Sequence, residues 1–255
     1  MESNRNSSVT DEITNILGRE IVGGLLTPGA TLLSEDEICS RFSASRSAAR
    51  EAVKILAAKG LLQTRPRRGS RIRPVKDWNF FDPSVLAWLR ESAKPRHFII
   101  ELLEVRLAFE CEAAALAATR ANVSDIGEIR TAFDAMNAAS RGSGDPVLSD
   151  AAFHEAILAA TGNRFFLPLS ALIHTALQFS VPTTNALFGH TVGDLDAHGK
   201  VLKAIEAGEA EQARAAMRDM LSEVLARVRT AVELMNVTQG ATTDSALHLV
   251  AIARE

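Results

Sequence analysis

The chain has 255 residues, 47% apolar and 23% charged, with 28 basic against 31 acidic side chains. That balance fits a folded protein of one large or two small domains and excludes disordered, collagen-like and low-complexity chains. The start MESNRNSSVT lacks a basic stretch followed by an apolar one, no run of 18 apolar residues occurs, and Cys39 and Cys111 make neither a disulfide framework nor a metal-ligand spacing, so a cytoplasmic protein without membrane contact is expected.

Charge is unevenly spread. Residues 1–75 carry a net charge of +4 and the remaining 180 carry −7, and between 41 and 73 stand ten Lys or Arg against one acid, Glu51. A basic block on a folded segment is an electrostatic footprint for phosphates, or else an ordinary solvated face. The elements decide between the two. Asp11 to about Gly23 places Ile13, Ile16, Leu17, Ile21 and Val22 at helical spacing, and Leu26-Thr27-Pro28-Gly29 breaks the chain. Ser34 with Glu37 forms a capping box for a short helix to Phe42, and Ser45 is a suitable N-cap for a third helix that Gly60 ends. On that helix Ala49, Val53, Leu56 and Ala57 make a core stripe, while Arg46, Arg50 and Lys54 repeat every four residues on another face. Like charges so spaced are unfavourable unless they face an anion. Leu61–Thr64 and Ser70–Arg73 read as two strands around the basic turn Arg65-Pro66-Arg67-Arg68-Gly69. Residues 1–75 therefore read as a winged helix-turn-helix whose third helix suits a major groove.

The head resembles a known family. Leu26-x-Pro28-Gly29-x-x-Leu32-x-Ser34-Glu35-x-Glu37-Ile38, Ser45-Arg46-x-x-x-Arg50-Glu51-Ala52-x-x-x-Leu56-x-x-x-Gly60-Leu61 and Arg68-Gly69-Ser70 are similar to the GntR family of bacterial transcription regulators. The resemblance implies operator DNA as partner and DNA contacts from Glu35 and Asp36 at the start of the second helix and from Ser45, Arg46, Ser47, Arg50, Arg68 and Gly69; the reading of paired half-sites by helix-turn-helix proteins implies a homodimer. Asp36 stands where some members carry a basic residue.

Residues 76–93 read as a linker, Trp78-Asn79-Phe80-Phe81-Asp82-Pro83, followed by a short helix, Ser84–Arg90. Residues 94–236 read as an all-helical domain of six to seven helices, and 237–255 as a tail, so the fold class is mainly α. Helices are expected from Pro95 to about Ala118, from about Asp125, and over about 147–160, 163–179, 193–207 and 209–235. Three of them carry ionisable groups inside an apolar stripe: Arg106 and Glu110 beside Leu102, Phe109 and Ala113; Asp150 and His154 beside Phe153 and Ile157; His198 among Leu195, Val201 and Leu202. Each alone could be a hydrogen-bonded core residue or a buried ion pair. Together they point to one shared polar cavity, because unpaired burial costs several kcal/mol, roughly, per group. Two imidazoles and a carboxylate suit Zn, Ni, Mn or Fe.

Glu104-x-Arg106-x-x-x-Glu110, Asp150-x-x-Phe153-His154, Gly162-Asn163 and His198-x-x-x-Leu202-x-Ala204-Ile205-x-x-Gly208 resemble the C-terminal (FCD) domain of the FadR subfamily. The resemblance implies one divalent ion (Zn, Ni or Mn) on Asp150, His154 and His198, and a small carboxylate effector held by Arg106, Asp150, His154 and His198. Met220 stands where a further His ligand is expected, and a thioether is a poor ligand for hard divalent ions. The linker Trp78-Asn79-Phe80-Phe81-Asp82-x-x-Val85-Leu86-x-Trp88 resembles that of galactonate-operon repressors, which implies a sugar acid as effector; His174, Gln178, Thr183 and Asn185 are further candidates for its hydroxyls. The implied protein is a ligand-responsive repressor and no enzyme. Two alternatives stand beside it: a metal-dependent hydrolase-like enzyme using the Asp/His/His group, and a regulator whose polar cluster is purely structural.

Overall fold

A computed structural model describes the backbone of residues 2–65, 69–92, 96–188 and 194–252, and side-chain surroundings for 9–65, 69–92, 98–180 and 194–233. The chain forms two compact units, residues 1–95 and 96–255.

The first unit holds α1 (Glu2–Val22), α2 (Glu35–Phe42), α3 (Arg46–Ala58), β1 (Leu62–Arg65), β2 (Gly69–Ile72), a single 3₁₀ turn (Val75–Asp77) and α4 (Pro83–Glu91). Local chemistry sets most boundaries. Ser34 and Glu37 form both halves of the capping box at α2, and Ser45 caps α3 by accepting from the Ala48 amide at 3.2 Å. Gly60, at φ +78°, closes α3: its amide donates to Ala57 O at 3.0 Å and that of Leu61 to Leu56 O at 3.1 Å, the Schellman pattern. Ile13, Leu17, Ile21, Ile38, Ala49, Leu56, Leu61, Ile72, Leu86 and Trp88 fill the core. Asp82 caps α4 and receives Lys59 Nζ on both oxygens at 2.8 Å, tying the linker to the end of α3. At Gly18 an added Cβ would lie 2.6 Å from the Trp88 ring, so only glycine lets α4 approach α1 this closely. The linker and α4 thus pack as part of the head.

The second unit consists of six α-helices among the described residues: α5 (Arg96–Arg120), α6 (Val123–Ser140), α7 (Pro146–Ala160), α8 (Ser170–Phe188), α9 (Leu195–Glu206) and α10 (Ala210–Ile252). α5 packs against α7, α8, α9 and α10. The core joins Ala113 and Ala117 to Ile129, Met136, Phe153, Ile157, Leu158, Ile173, Val201, Ile205, Met217 and Leu221. Three stretches differ from expectation. α1 begins at Glu2, not Asp11. The expected helix over 163–179 is divided into a 3₁₀ turn at Leu167–Leu169 and α8, because Pro168 lies in that turn. α10 runs to Ile252, through the segment expected to be a tail.

Candidate functional site

The head offers one exposed face. α3 has no acid in its first turn, and Ser45, Arg46, Ser47 and Arg50 all stand exposed along its start. A helix N-terminus of this kind attracts phosphates. Both arginines already have partners on α2: Arg50 donates to the two Glu35 oxygens at 3.2 and 3.0 Å, and Arg46 pairs with Asp36 at 3.0 Å. Burial slightly opposes ionisation of Glu35, but the Arg50 hydrogen bond outweighs it and holds its carboxyl below the ordinary range. The strands pair antiparallel with Gln63 opposite Arg71 and Arg65 opposite Gly69. Alternation along them buries Leu62, Ser70 and Ile72 and leaves Gln63, Arg65 and Arg71 on one exposed face lining a shallow cleft with Gly69. Sequence reasoning placed Arg65 in the basic turn but did not group it with Gln63 and Arg71, which strict alternation on the strands would have done. Gly69 has φ +73°, a turn conformation that suits glycine. Arg68 lies outside the described residues.

In the second unit Arg106, Glu110, Asp150, His154 and His198 are each between 1% and 3% exposed, and they form one chain of contacts. Arg106 Nε donates to Glu110 Oε1 at 2.5 Å, and Glu110 Oε2 lies against His154 Nδ1. His154 Nε2 and His198 Nε2 both lie 3.2 Å from Asp150 Oδ1. Phe153 packs edge-on against His198, ring centroids 5.1 Å apart, and against His154 at 5.8 Å. The helices enforce this: Asp150 and His154 are one turn apart on α7, Arg106 and Glu110 one turn apart on α5, and α9 brings His198 from across the core.

Burial pushes the Glu110 carboxyl up, but the charges of Arg106 and His154 dominate and hold it at about 2. Asp150 is likewise raised by burial and brought far below the carboxylate range by His154 and His198. Burial and the Arg106 charge lower His154, and Glu110 and Asp150 together more than compensate, so its pKa lies above the ordinary histidine value. Proton accounting shows what the cluster needs. His198 Nδ1 lies 2.7 Å from the Asp194 carbonyl, which only accepts, so Nδ1 carries a proton. In the neutral ring Nε2 would then turn a lone pair on a carboxylate oxygen. His154 meets a carboxylate at each nitrogen. A cation among Asp150, His154 and His198, whose ligand atoms lie within 4.8 Å of one another, would engage those lone pairs. Two nitrogens and one carboxylate, with one imidazole oriented by a backbone carbonyl, fit a divalent transition metal.

Glu110 was foreseen as buried but not as the link between Arg106 and His154. Met220, at the position of the missing ligand, is buried in the apolar core. His174 pairs instead with Glu155 at 3.3 Å on a half-exposed surface, and Gln178 is half-buried. The side chains of Thr183 and Asn185 lie outside the described residues.

Comparison with known proteins agrees with this division. Residues 9–72 match the family described as bacterial regulatory proteins, gntR family, and residues 101–223 match the FCD domain. The chain is 32% identical over 228 residues to the galactonate operon transcriptional repressor of Escherichia coli K12, covering 86% of this chain and 96% of that one. It is 28% identical to a probable D-xylose utilization operon transcriptional repressor of Paenarthrobacter nicotinovorans, covering 83% and 84%. Among solved structures, Lar, titled as controlling the agr system of Listeria monocytogenes, shares the fold at a TM-score of 0.56 and 17% identity, over 87% of this chain and 96% of that one. No helix among the described residues is long and apolar enough to cross a membrane. A reading head and a helical bundle, each matched in its own right, set aside the hydrolase-like alternative: the chain belongs to the GntR family of bacterial regulatory proteins, with an FCD domain behind its helix-turn-helix, and is a transcription regulator, not an enzyme.

Proposed function

We propose that the chain is a ligand-responsive repressor of a sugar-acid catabolic operon, of the galactonate type, that releases its operator when a small carboxylate fills the helical domain. The observation that carries this reading is the buried run from Arg106 through Glu110, His154 and Asp150 to His198. A purely structural core has no need of five ionisable groups at a place where apolar residues would be as stable or more so. The name of the 32%-identical relative supports a sugar acid as effector.

In this reading the domains divide as 1–75 for DNA, 76–93 as linker, 94–236 for the effector and 237–255 as a terminal extension, in the manner of the FadR subfamily. Glu35, Ser45, Arg46, Ser47, Arg50, Arg68 and Gly69 contact the operator. Two copies form a homodimer in the cytoplasm and read two half-sites, as helix-turn-helix regulators do. Asp150, His154 and His198 hold one divalent ion (Zn, Ni or Mn), which when bound supplies a positive centre for carboxylate and hydroxyl oxygens. Arg106 offers its remaining N–H groups to the acid, and Asp150 and the imidazoles orient hydroxyls. Release follows if the acid binds the weakly DNA-binding state of the protein more tightly than the other.

The test is a thermal-shift panel of sugar acids on the full chain, with and without chelator. It is paired with gel shifts on a duplex that the protein enriches from a randomised pool. One acid is expected to raise the melting temperature and release the duplex at matching concentrations. Failure of every acid in both assays overturns the effector reading. An unchanged melting curve on chelation, with no metal in the purified protein by elemental analysis, overturns the ion.

A further inference from the structure

We infer that the Asp36–Arg46 couple reads a cytosine–guanine base pair, with Asp36 accepting a hydrogen bond from the cytosine N4 amino group while Arg46 donates to guanine O6 and N7. The inference rests on the DNA-contacting role proposed for the head and assigns the base pair that this couple reads.

The three acids of the first turn of α2 have different partners. Glu37 is engaged in the capping box, taking the Ser34 amide at 2.7 Å. Glu35 is clamped by two hydrogen bonds from Arg50. Asp36 takes no part in capping; its Oδ1 faces Arg46 Nη2 at 3.0 Å, and the two side chains are 73% and 76% exposed. A carboxylate at the edge of a DNA-facing surface repels phosphates and lowers affinity for every sequence. Accepting from a base edge would offset that penalty.

The major groove offers two such donors, cytosine N4 and adenine N6. At adenine the neighbouring N7 is an acceptor that repels a carboxylate, so cytosine is favoured. Across a cytosine–guanine pair the pattern is one donor followed by two acceptors. The couple presents the complement, an acceptor beside a two-pronged donor, close together on the exposed starts of α2 and α3. An exposed single contact of this kind weakens affinity by a factor of only about 1.4 to 5, so it does not prevent Arg46 from turning to guanine. Serine caps and a glycine-tipped wing fix the backbone around the couple but read no base.

The experiment enriches duplexes from a randomised pool with the full chain and with Asp36→Ala, Asp36→Asn and Arg50→Ala. Kd is then measured on the wild-type consensus and on single-position changes at one fixed salt concentration. One position per half-site should prefer C with the wild type. With Asp36→Ala that preference should fall by about 5-fold or more, the usual cost of one lost base contact. With Asp36→Asn it should move towards A, since an amide pairs with adenine N6 and N7. Far-UV circular dichroism checks that the variants are folded. Equal strengthening on all sequences by both Asp36 variants would make Asp36 a plain repulsive charge and overturn the inference; so would unchanged preferences. If the wild type enriches no sequence, or Arg50→Ala binds as the wild type does, the DNA-contacting reading of the head fails first.

Discussion

Replacing Arg106 by methionine isolates the energetic weight of the buried cluster. Arg106 and Glu110 are each 1% exposed, and Arg106 donates through both Nε and Nη2. Methionine fills most of the same volume, so the loss is that of the charge. Glu110 is then left buried with only His154 against it, and breaking a buried pair on one side costs about 3–5 kcal/mol. Arg106 and His154, against burial, hold the Glu110 carboxyl at about 2, so Arg106 favours the charged form that its loss would strand. Adding Glu110→Gln removes the stranded charge and should recover at least half of the loss. The assay is urea unfolding of the full chain. Its two tryptophans, Trp78 and Trp88, both lie in the first unit, and it has no tyrosine. Tryptophan fluorescence therefore follows the head, while circular dichroism is weighted towards the long helices of the bundle. Arg106→Met should shift the dichroism transition by far the more. A loss below about 1 kcal/mol, or no recovery in the double variant, would refute the account of the pair.

Two further predictions concern the head. Gly60→Ala should destabilise it by about 2–4 kcal/mol, because the residue sits at φ +78° and the new Cβ would lie 2.5 Å from the Asp77 carbonyl oxygen; fluorescence-detected urea unfolding measures this, and a loss under about 1 kcal/mol would contradict it. Asp82→Asn keeps the α4 cap but removes the charge that faces Lys59. Burial raises the Asp82 carboxyl, and the Lys59 contacts more than reverse this, so its folded pKa lies below 3.8. A depressed carboxylate stabilises fully above the unfolded value and loses that contribution as pH falls through the folded one. The wild-type head should therefore be level in stability between about pH 5 and 7 and decline below about 4. In the asparagine variant, stability near neutrality should be lower by about 1–2 kcal/mol and the decline shallower. Parallel acid unfolding curves would show that the Lys59 contact does not stabilise the fold.

How much of this was readable from the sequence depends on the range of each interaction. Caps are local, so Ser34 with Glu37, Ser45 and Gly60 marked the ends of α2 and α3 correctly. Asn4, Asn6, Ser7, Ser8, Thr242 and Thr243 are weak helix formers, which is why α1 and α10 read as shorter than they are. Charges inside apolar stripes announced Arg106, Asp150, His154 and His198. The contact between Glu110 and His154 depends on how α5 lies on α7, and the passage of Trp88 over Gly18 on how α4 lies on α1. Neither packing is written in the spacing of either helix. The Lys59–Asp82 tie is of the same kind, spanning 23 residues between a helix end and a cap.

Of the four arginines expected to hold an anion, the three among the described residues, Arg46, Arg50 and Arg106, meet a carboxylate of their own chain first, and burial decides what each can then do. The side chains of the Arg46–Asp36 and Arg50–Glu35 pairs are 40–76% exposed. Pairs of that kind are worth about 0.2–1 kcal/mol. A bidentate arginine–guanine contact is worth about 1–3 kcal/mol, so a base edge competes with them easily. Arg106 and Glu110 are closed off from solvent, and parting them costs more than the roughly 1.5–3 kcal/mol that one charged hydrogen bond to a small acid returns. In the function proposed above, the acid must therefore add to that pair and not displace Glu110. Arg106 has five N–H groups, and Glu110 engages Nε and Nη2, so a second carboxylate can share the guanidinium. Its remaining charge then falls towards His154, Asp150 and His198, the residues that would hold the proposed ion. Binding of the acid and of that ion are thereby coupled through residues that no solvent screens.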